Sequence, residues 1–255
     1  MRNITTLNIY PVKSCQAQTL KEFNVLLEGP EGDRQWMVVD DDSEFLTQRK
    51  YPKLATIQVN WSDAGLSLGV GKQFFVVPRE NKFLRKISAT IWGSTVEVAL
   101  EPDLVSQAVS QFLGISCRLV RSGPFTVRDP MVRFPDSLPV LLLNTKSLED
   151  LNSRLEIPVG IDRFRGNIIF EGEAGYEEDT WNRIRIGEVT FSKPKKAGRC
   201  SIVTIDQKSG EARGPEPLKT LAGYRREGKQ VNFGVLWVPE NNGRVRAGDT
   251  VNVLS

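Results

Sequence analysis

A cysteine inside a basic segment is the residue of this chain best suited to chemistry. Cys200 ends the run Lys-Pro-Lys-Lys-Ala-Gly-Arg-Cys that begins at Lys193. Neighbouring lysine and arginine side chains favour the thiolate, the form of cysteine that attacks an electrophile or binds a soft metal. The competing interpretation is an inert, buried cysteine at the start of the apolar run 201–205. Spacing alone leaves both interpretations open.

A second candidate feature is a set of polar and cationic residues beside the ends of predicted strands. Each has a simpler explanation as a solvated turn residue or as part of a local ion pair, such as Arg34 with Asp33. Because a barrel gathers strand ends at one mouth, the cations together favour a polyanionic ligand that carries phosphate groups. The set comprises Lys13, Ser14, Arg34, Arg165, Asn167 and Arg199.

The composition excludes several classes of site. The 255 residues include no histidine, which removes Ser-His-Asp triads, Cys-His pairs and HExxH zinc helices. The three cysteines lack a CxxC pair, so a zinc knuckle, an iron–sulfur cluster bound by this chain alone and a disulfide framework are not expected. No GxxxxGK[ST] motif and no credible GxGxxG motif occurs.

The same composition indicates a cytoplasmic protein. The chain has no segment typical of a leader, and its longest apolar runs are strand-sized, so we expect no membrane association. A net charge of +3 is too small to indicate nucleic acid by itself. The basic, aromatic stretch 125–134, with Arg128 and Arg133, is interrupted by Asp129 and Pro130, so nucleic-acid binding is not expected.

Short β-rich runs dominate the first part of the chain, at the spacing of a sandwich or barrel. They are residues 4–10, 35–39, 54–59, 65–68, 74–77, 86–91 and 97–100. The apolar periodicity of residues 102–113 predicts a helix that begins near Pro102 and ends at Gly114. We place a boundary at about residue 120, between units 1–120 and 121–255, and expect a functional or mobile loop over 123–137.

The second part repeats the β-rich pattern with two helices. One predicted helix carries Leu148, Leu151 and Leu155 on one face, and a short one spans 218–224. Strands are predicted over 140–143, 167–170, 184–186, 189–191, 201–205, 231–238 and 250–254. The acidic segment 171–179 is predicted to be a solvated hairpin or loop, and Glu177 and Glu178 receive no catalytic role. The predicted fold class is mainly β with some helices (α+β).

Taken in order along nearly the whole chain, these motifs resemble the MOSC family, the molybdenum cofactor sulfurase C-terminal domain, preceded by its β-rich N-terminal domain. The resemblance implies a MOSC-type β-barrel with a β-rich N-terminal domain. The matching stretches begin at Tyr10-Pro-Val-Lys-Ser-Cys, Asp33-Arg-Gln-Trp, Phe45-Leu-Thr-Gln-Arg, Ser147-Leu-Glu-Asp-Leu-Asn, Phe164-Arg-Gly-Asn, Glu178-Asp-Thr-Trp, Gly198-Arg-Cys, Glu216-Pro-Leu-Lys, Phe233-Gly and Gly248-Asp.

Within that family the chain is most similar to the amidoxime-reducing components and their bacterial relatives. The resemblance implies a molybdenum cofactor (Mo-pterin) whose metal is bound by Cys200, and reduction of N-hydroxylated compounds by oxygen-atom abstraction. It implies cofactor-binding roles for Lys13, Ser14, Arg34, Asp136, Ser137, Arg165, Asn167, Gly198, Arg199 and Cys200. Electrons are expected from an external ferredoxin- or flavin-type reductase, and pyridoxal phosphate binding is not expected.

The chain departs from the family pattern at several positions. Ala197 stands where relatives often carry a second cysteine, Gly166 stands where they carry proline, and Leu236 stands where some carry an aromatic residue. Two other functions remain open. One is a sulfur or cofactor carrier that uses Cys200 as a persulfide, and the other is a non-catalytic binding module.

Overall fold

The computed structural model describes residues 1–80, 85–124, 126, 134 and 137–255. Most of the predicted loop 123–137 lies outside these residues, including Asp136, Arg128 and Arg133. The described chain consists mainly of β-strands with three α-helices, which confirms the predicted fold class.

The elements follow the chain in this order. The strands are β1 (Asn3–Ile9), β2 (Gln18–Leu20), β3 (Glu22–Leu26), β4 (Gly29–Pro30), β5 (Trp36–Val39), β6 (Gln58–Ser62), β7 (Gly65–Val70), β8 (Gln73–Pro78), β9 (Lys86–Ile91), β10 (Ser94–Leu100), β11 (Arg118–Arg121), β12 (Val140–Asn144), β13 (Ile168–Glu171), β14 (Ile184–Ile186), β15 (Val189–Gly198), β16 (Arg226–Glu227), β17 (Gln230–Pro239), β18 (Gly243–Arg246) and β19 (Val251–Val253). The α-helices are α1 (Asp103–Leu113), α2 (Thr145–Asn152) and α3 (Leu218–Tyr224). Short 3-10 helices span Pro52–Thr56, Ile161–Phe164, Glu177–Thr180 and Ser201–Thr204.

The largest sheet has nine strands in the order β19-β14-β15-β17-β12-β13-β1-β2, with β16 paired to β17. Its pairs are antiparallel except β12 with β13. One face buries a core that includes Leu7, Phe191 and Trp237. The predicted barrel is not closed by a continuous ladder. Strand β2 pairs with part of the outer edge of β1. The start of β1 contacts the segment before β19 through the isolated bridge Asn3 to Thr250 and through hydrogen bonds of Ile4 with Gly248 and Asp249.

The first half of the chain forms two further sheets, β5-β11-β10-β9 and β6-β7-β8. Helix α1 buries Val105 and Val109 in a core shared with β7 and β11. The two halves nevertheless share strands, since β1 and β2 belong to the large sheet and β3 pairs with β18. The boundary at residue 120 stays a prediction.

The periodic helices are confirmed. Helix α1 ends where Gly114 adopts a left-handed conformation with φ 75°, as the C-terminal glycine predicts. Helix α3 matches the predicted span. Helix α2 ends at Asn152, so Leu155 lies beyond it, although it still packs in the same core as Leu148 and Leu151.

Two predicted strands are wrong in whole or in part. Residues 201–204 form a 3-10 helix instead of a strand, and residues 52–56 form another, so that the strand predicted over 54–59 begins at Gln58. Apolar runs this short do not distinguish a strand from a buried helical turn.

The interpretation of 171–179 as solvated is also wrong for Glu178, whose side chain is 0% exposed. Its carboxylate accepts hydrogen bonds from Asn144 Nδ2 at 3.0 Å and from Ser147 Oγ at 3.2 Å. These contacts replace the water that an acidic segment ordinarily requires.

Candidate functional site

A cavity of about 180 Å³ lies where the ends of several strands meet, between the two halves of the chain. Its wall contains every described residue that the sequence nominated for the site. These residues are Lys13, Ser14, Arg34, Ser137, Arg165, Asn167, Gly198, Arg199 and Cys200. Asp136 was also nominated and lies outside the described residues.

Three residues of this wall have a left-handed backbone conformation. Ser14, Arg34 and Arg165 have φ values of 70°, 46° and 54°. Non-glycine residues adopt this conformation at a free-energy cost and are held there by surrounding contacts. Arg34 N donates to Tyr10 O at 2.9 Å, and Arg165 N donates to Asp162 O at 3.1 Å. The fold therefore imposes the direction of these arginines.

A buried carboxylate and amide connect the first strand to the two arginine turns. Asp33 accepts hydrogen bonds from Tyr10 N at 2.8 Å and from Asn167 Nδ2 at 3.1 Å, and it forms an ion pair with Arg34. Asn167 Oδ1 accepts from Leu141 N at 3.2 Å and from Arg34 Nη1 at 3.3 Å. Asn167 therefore orders the wall through bonds within the protein.

Arg165 and Arg199 are cations without a carboxylate partner among the described residues. Arg165 donates to Cys15 O at 2.8 Å and Gln207 Oε1 at 3.1 Å, and Arg199 donates to the carbonyls of Phe164 and Phe233. Both side chains are partly buried. Desolvation lowers the pKa of Arg165 and lowers that of Arg199 to about 10, and the charge of Arg34 acts in the same direction. Such a wall favours an anionic ligand, because desolvated charges need compensation.

Cys200 is exposed at the cavity, whereas the other two cysteines are buried. Burial raises the pKa of Cys15 to about 12 and also raises the pKa of Cys117, so both are inert thiols at neutral pH. The interpretation of Cys200 as a buried strand residue is therefore wrong. Ala197, which stands in place of a second cysteine, is 2% exposed and lines the same cavity.

Sequence reasoning missed several residues that lie beside the cavity and contact its wall. Arg49 Nη1 lies 3.7 Å from Cys200 Sγ, and its guanidinium lies 4.5 Å from the ring centroid of Trp92. Gln207 and Gln48 donate to each other's side chains at 3.0 and 3.1 Å beside Arg165. Arg49 belongs to a motif that the sequence singled out, but nothing local indicated that it contacts a residue 151 positions away.

The described residues include neither a membrane-spanning helix nor a protein-only metal cluster. No helix there is long and apolar enough to cross a membrane. No group of three or more Cys, Asp or Glu side chains in the same part of the chain is arranged to hold a metal ion.

Comparison with known proteins identifies two family models along the chain. The model described as the MOSC N-terminal beta barrel domain matches residues 1–116, and the model described as the MOSC domain matches residues 129–252. Together they account for both halves of the wall around the cavity.

Individual relatives cover nearly the whole chain. Mitochondrial amidoxime-reducing component 1 of Mus musculus is 33% identical over 98% of this chain and 82% of the relative. The same component of Homo sapiens is 30% identical, with the same coverage of 98% and 82%. A molybdenum cofactor sulfurase of Oryza sativa subsp. japonica is 32% identical over 92% of this chain, which spans only 32% of that relative's length.

Among solved structures, the YuaD protein of Bacillus subtilis covers 99% of this chain and 96% of its own, with 10% identity and a TM-score of 0.44. YiiM of Geobacillus stearothermophilus covers 46% of this chain with 12% identity and a TM-score of 0.36. Likenesses this weak add nothing to the family assignment.

Proposed function

The chain belongs to the MOSC family, and from that premise we propose that its cavity holds a molybdenum cofactor with Cys200 as the metal ligand. We further propose that the loaded protein reduces N-hydroxylated compounds such as amidoximes and hydroxylamines. The relatives that are amidoxime-reducing components support this activity by their names. The observation that carries the proposal is one exposed thiol on the same wall as two desolvated arginines.

The donor set of the wall fits this cofactor. A thiolate sulfur suits a soft metal, and guanidinium groups suit a phosphate through paired N–H donors. Among the described residues, the hydrogen-bond acceptors of Arg165 and Arg199 are neutral oxygens, so a bound phosphate would supply the compensating charge. Lys13 adds a buried ammonium, which donates to Phe134 O at 2.9 Å.

When bound, the cofactor supplies two-electron chemistry that removes the oxygen atom from an N–O bond. The balance of the reaction is one N-hydroxylated compound, two electrons and two protons in, and the reduced nitrogen compound and water out. The chain itself binds the phosphate with Arg165 and Arg199. Cys15 O and Gln207 Oε1 orient Arg165, and the carbonyls of Phe164 and Phe233 orient Arg199. It keeps one thiol, Cys200, accessible at the opening.

The electrons come from an external donor, for which we propose a ferredoxin- or flavin-type reductase. Because Cys200 is exposed, we propose that substrate and donor approach the cavity on its side. A cytoplasmic location stays a prediction.

The test compares wild type with Cys200→Ala and Arg165→Met, each expressed in a host that makes the cofactor. We expect wild type to contain near-stoichiometric molybdenum and pterin and to reduce benzamidoxime with a chemical electron donor. Cys200→Ala should lose the metal, and Arg165→Met should lose pterin and metal together. Exposed Arg183, which pairs with Glu240 at 2.7 Å, supplies the matched control Arg183→Gln with full loading.

If folded wild-type protein contains no metal and carries a cyanide-labile sulfur on Cys200, the protein is a sulfur carrier and the reductase proposal is wrong. Loaded protein that reduces no N-hydroxylated compound would retain the cofactor assignment and overturn the activity.

A further inference from the structure

Arg49, in the first half of the chain, contacts the thiol of Cys200 with a charged side chain. Its Nη1 atom lies 3.7 Å from Sγ, within hydrogen-bonding reach of sulfur. The side chain is exposed, and among the described residues it forms no ion pair with a carboxylate. The charge of Arg49 beside Cys200 therefore has no carboxylate partner in the part of the chain that the structure describes.

The position of this charge depends on Trp92. The guanidinium carbon of Arg49 lies 4.5 Å from the Trp92 ring centroid, and Phe45 packs against the same ring at 5.0 Å. Trp92 sits at the tip of the β9–β10 hairpin with φ 52°, a conformation that a bulky residue rarely adopts. Gly93 also has a positive φ of 76°, as the two-residue turn between β9 and β10 requires, so the hairpin itself sets where the indole lies.

The hairpin tip is anchored on the segment that carries Arg49. Phe45 N donates to Thr90 O at 3.2 Å, and Thr90 N donates to Ser43 O at 2.9 Å. These hydrogen bonds anchor the hairpin that carries Trp92. Because Trp92 is 47% exposed, the ring that supports the arginine lies at the edge of solvent. Arg49 is thereby directed at the thiol while its remaining N–H groups stay accessible.

From this arrangement we infer that Arg49, supported by Trp92, selects N-hydroxylated substrates that carry an anionic group, such as a carboxylate or a phosphate, and positions them beside Cys200. The inference rests on the proposed reductase function for its substrate class. It assigns Arg49 a positioning and specificity role, and the cofactor phosphate remains with the arginines inside the cavity.

The charge effect can be measured on Cys200 in protein without cofactor. Iodoacetate and iodoacetamide alkylate the same thiolate with loss of iodide, and they differ in charge. The ratio of their rate constants therefore reports the local field, and the fraction of thiolate cancels. Cys15 and Cys117 are buried, and Cys200→Ser identifies any background labelling.

We expect Arg49→Gln to lower the iodoacetate-to-iodoacetamide ratio about fivefold at low salt, the effect of one charge at about 4 Å in water. About 1 M salt should remove most of the difference between the variant and wild type. Trp92→Ala should lower the ratio in the same direction because it releases Arg49, whereas Trp92→Phe should retain most of it. Lys50→Gln removes the same charge at the next position, where the ammonium lies over Tyr51, and should leave the ratio within twofold of wild type.

An unchanged ratio in folded Arg49→Gln, or an equal drop in Lys50→Gln, overturns the inference. Arg49→Lys is a second variant, which keeps the positive charge but loses the stacking of the planar guanidinium on the Trp92 ring. We expect an intermediate iodoacetate-to-iodoacetamide ratio for it.

Loaded enzyme tests the substrate class separately. Wild type should favour 4-carboxybenzamidoxime over 4-methylbenzamidoxime in kcat/KM, and Arg49→Gln should reduce that preference about fivefold, mainly through KM. If the alkylation ratio falls as expected but no amidoxime is reduced, the proposed function fails and the anion-selecting role of Arg49 stands. If amidoximes are reduced with the same preference by wild type and variant, the inference fails and the proposed function stands.

Discussion

Individual charged side chains of this protein are stabilised by different kinds of neighbour. Arg165 and Arg199 use neutral oxygens, Arg49 rests on an indole ring, and Glu178 is buried with two neutral donors. Burial raises the pKa of Glu178 to about 7, and the charge of Asp179 acts in the same direction. Glu178 lies outside the cavity wall, so its titration affects the stability of the fold and leaves the site chemistry to other residues.

Glu178 makes the stability of the protein depend on pH. Its pKa is about 7 in the folded protein against an ordinary value of 4.5, so the folded state binds more protons between these values. The free energy of unfolding should therefore fall as pH rises from about 4.5 to about 7, by on the order of 3 kcal/mol at most. In Glu178→Gln this fall should disappear, and the variant should be more stable than wild type at pH 8. Urea unfolding at intervals from pH 5 to pH 8 measures both.

Glu177→Gln is the matched control, because Glu177 pairs with Arg2 at 2.7 Å and the pKa of its carboxyl is lowered. This control should retain the wild-type decline. An identical pH profile for wild type and Glu178→Gln would contradict the assignment.

At the scale of elements, an irregularity in β17 places the acceptor for Arg199. Lys196 pairs with Val235 and Gly198 pairs with Asn232, so β17 has one extra residue at this point. Gly234 takes φ 76° in this bulge, where an added Cβ would lie 2.4 Å from Leu143 Cδ2 and 2.7 Å from Leu142 O. The adjacent carbonyl of Phe233 accepts from Arg199 Nε at 2.9 Å. The bulge therefore connects sheet geometry to the cavity wall.

Gly234→Ala should destabilise the protein by about 3 kcal/mol or more, since it combines a left-handed backbone with a clash against Leu142 and Leu143. It should also reduce cofactor loading, because the Phe233 carbonyl moves away from Arg199. Gly228→Ala is the control, with φ 58° and nothing within 4 Å of the added Cβ, and should cost about 1 kcal/mol. Thermal unfolding of the two variants measures the difference, and equal costs would show that β17 adapts at Gly234.

At the scale of the whole molecule, the two halves of the chain are interlocked through shared sheets. Strands β1 and β2 from the first half complete the large sheet, and β18 from the second half pairs with β3. Arg165 donates across the halves to Cys15 O at 2.8 Å. The cavity wall thus needs both halves at once.

We therefore expect residues 1–120 and 121–255, produced separately, to lack cooperative unfolding. The second fragment loses Leu7 and Ile9 from its core, together with the partner strand of β13. Amide NMR dispersion and thermal melts of each fragment, alone and after co-expression, measure this. Native-like dispersion in an isolated fragment would contradict the expectation and identify an independent domain.

The sequence by itself determined the class of fold, the helices with clear periodicity and the set of wall residues from Lys13 to Cys200. These features depend on local patterns, such as the apolar spacing of α1, and on motifs whose order along the chain can be read without the structure. The 3-10 helix at Ser201–Thr204 and the burial of Glu178 were decided by packing, because short runs take their conformation from their neighbours. The contact of Arg49 with Cys200 required the tertiary structure, since 151 positions separate them and only folding brings the turn that carries Arg49 to the end of β15.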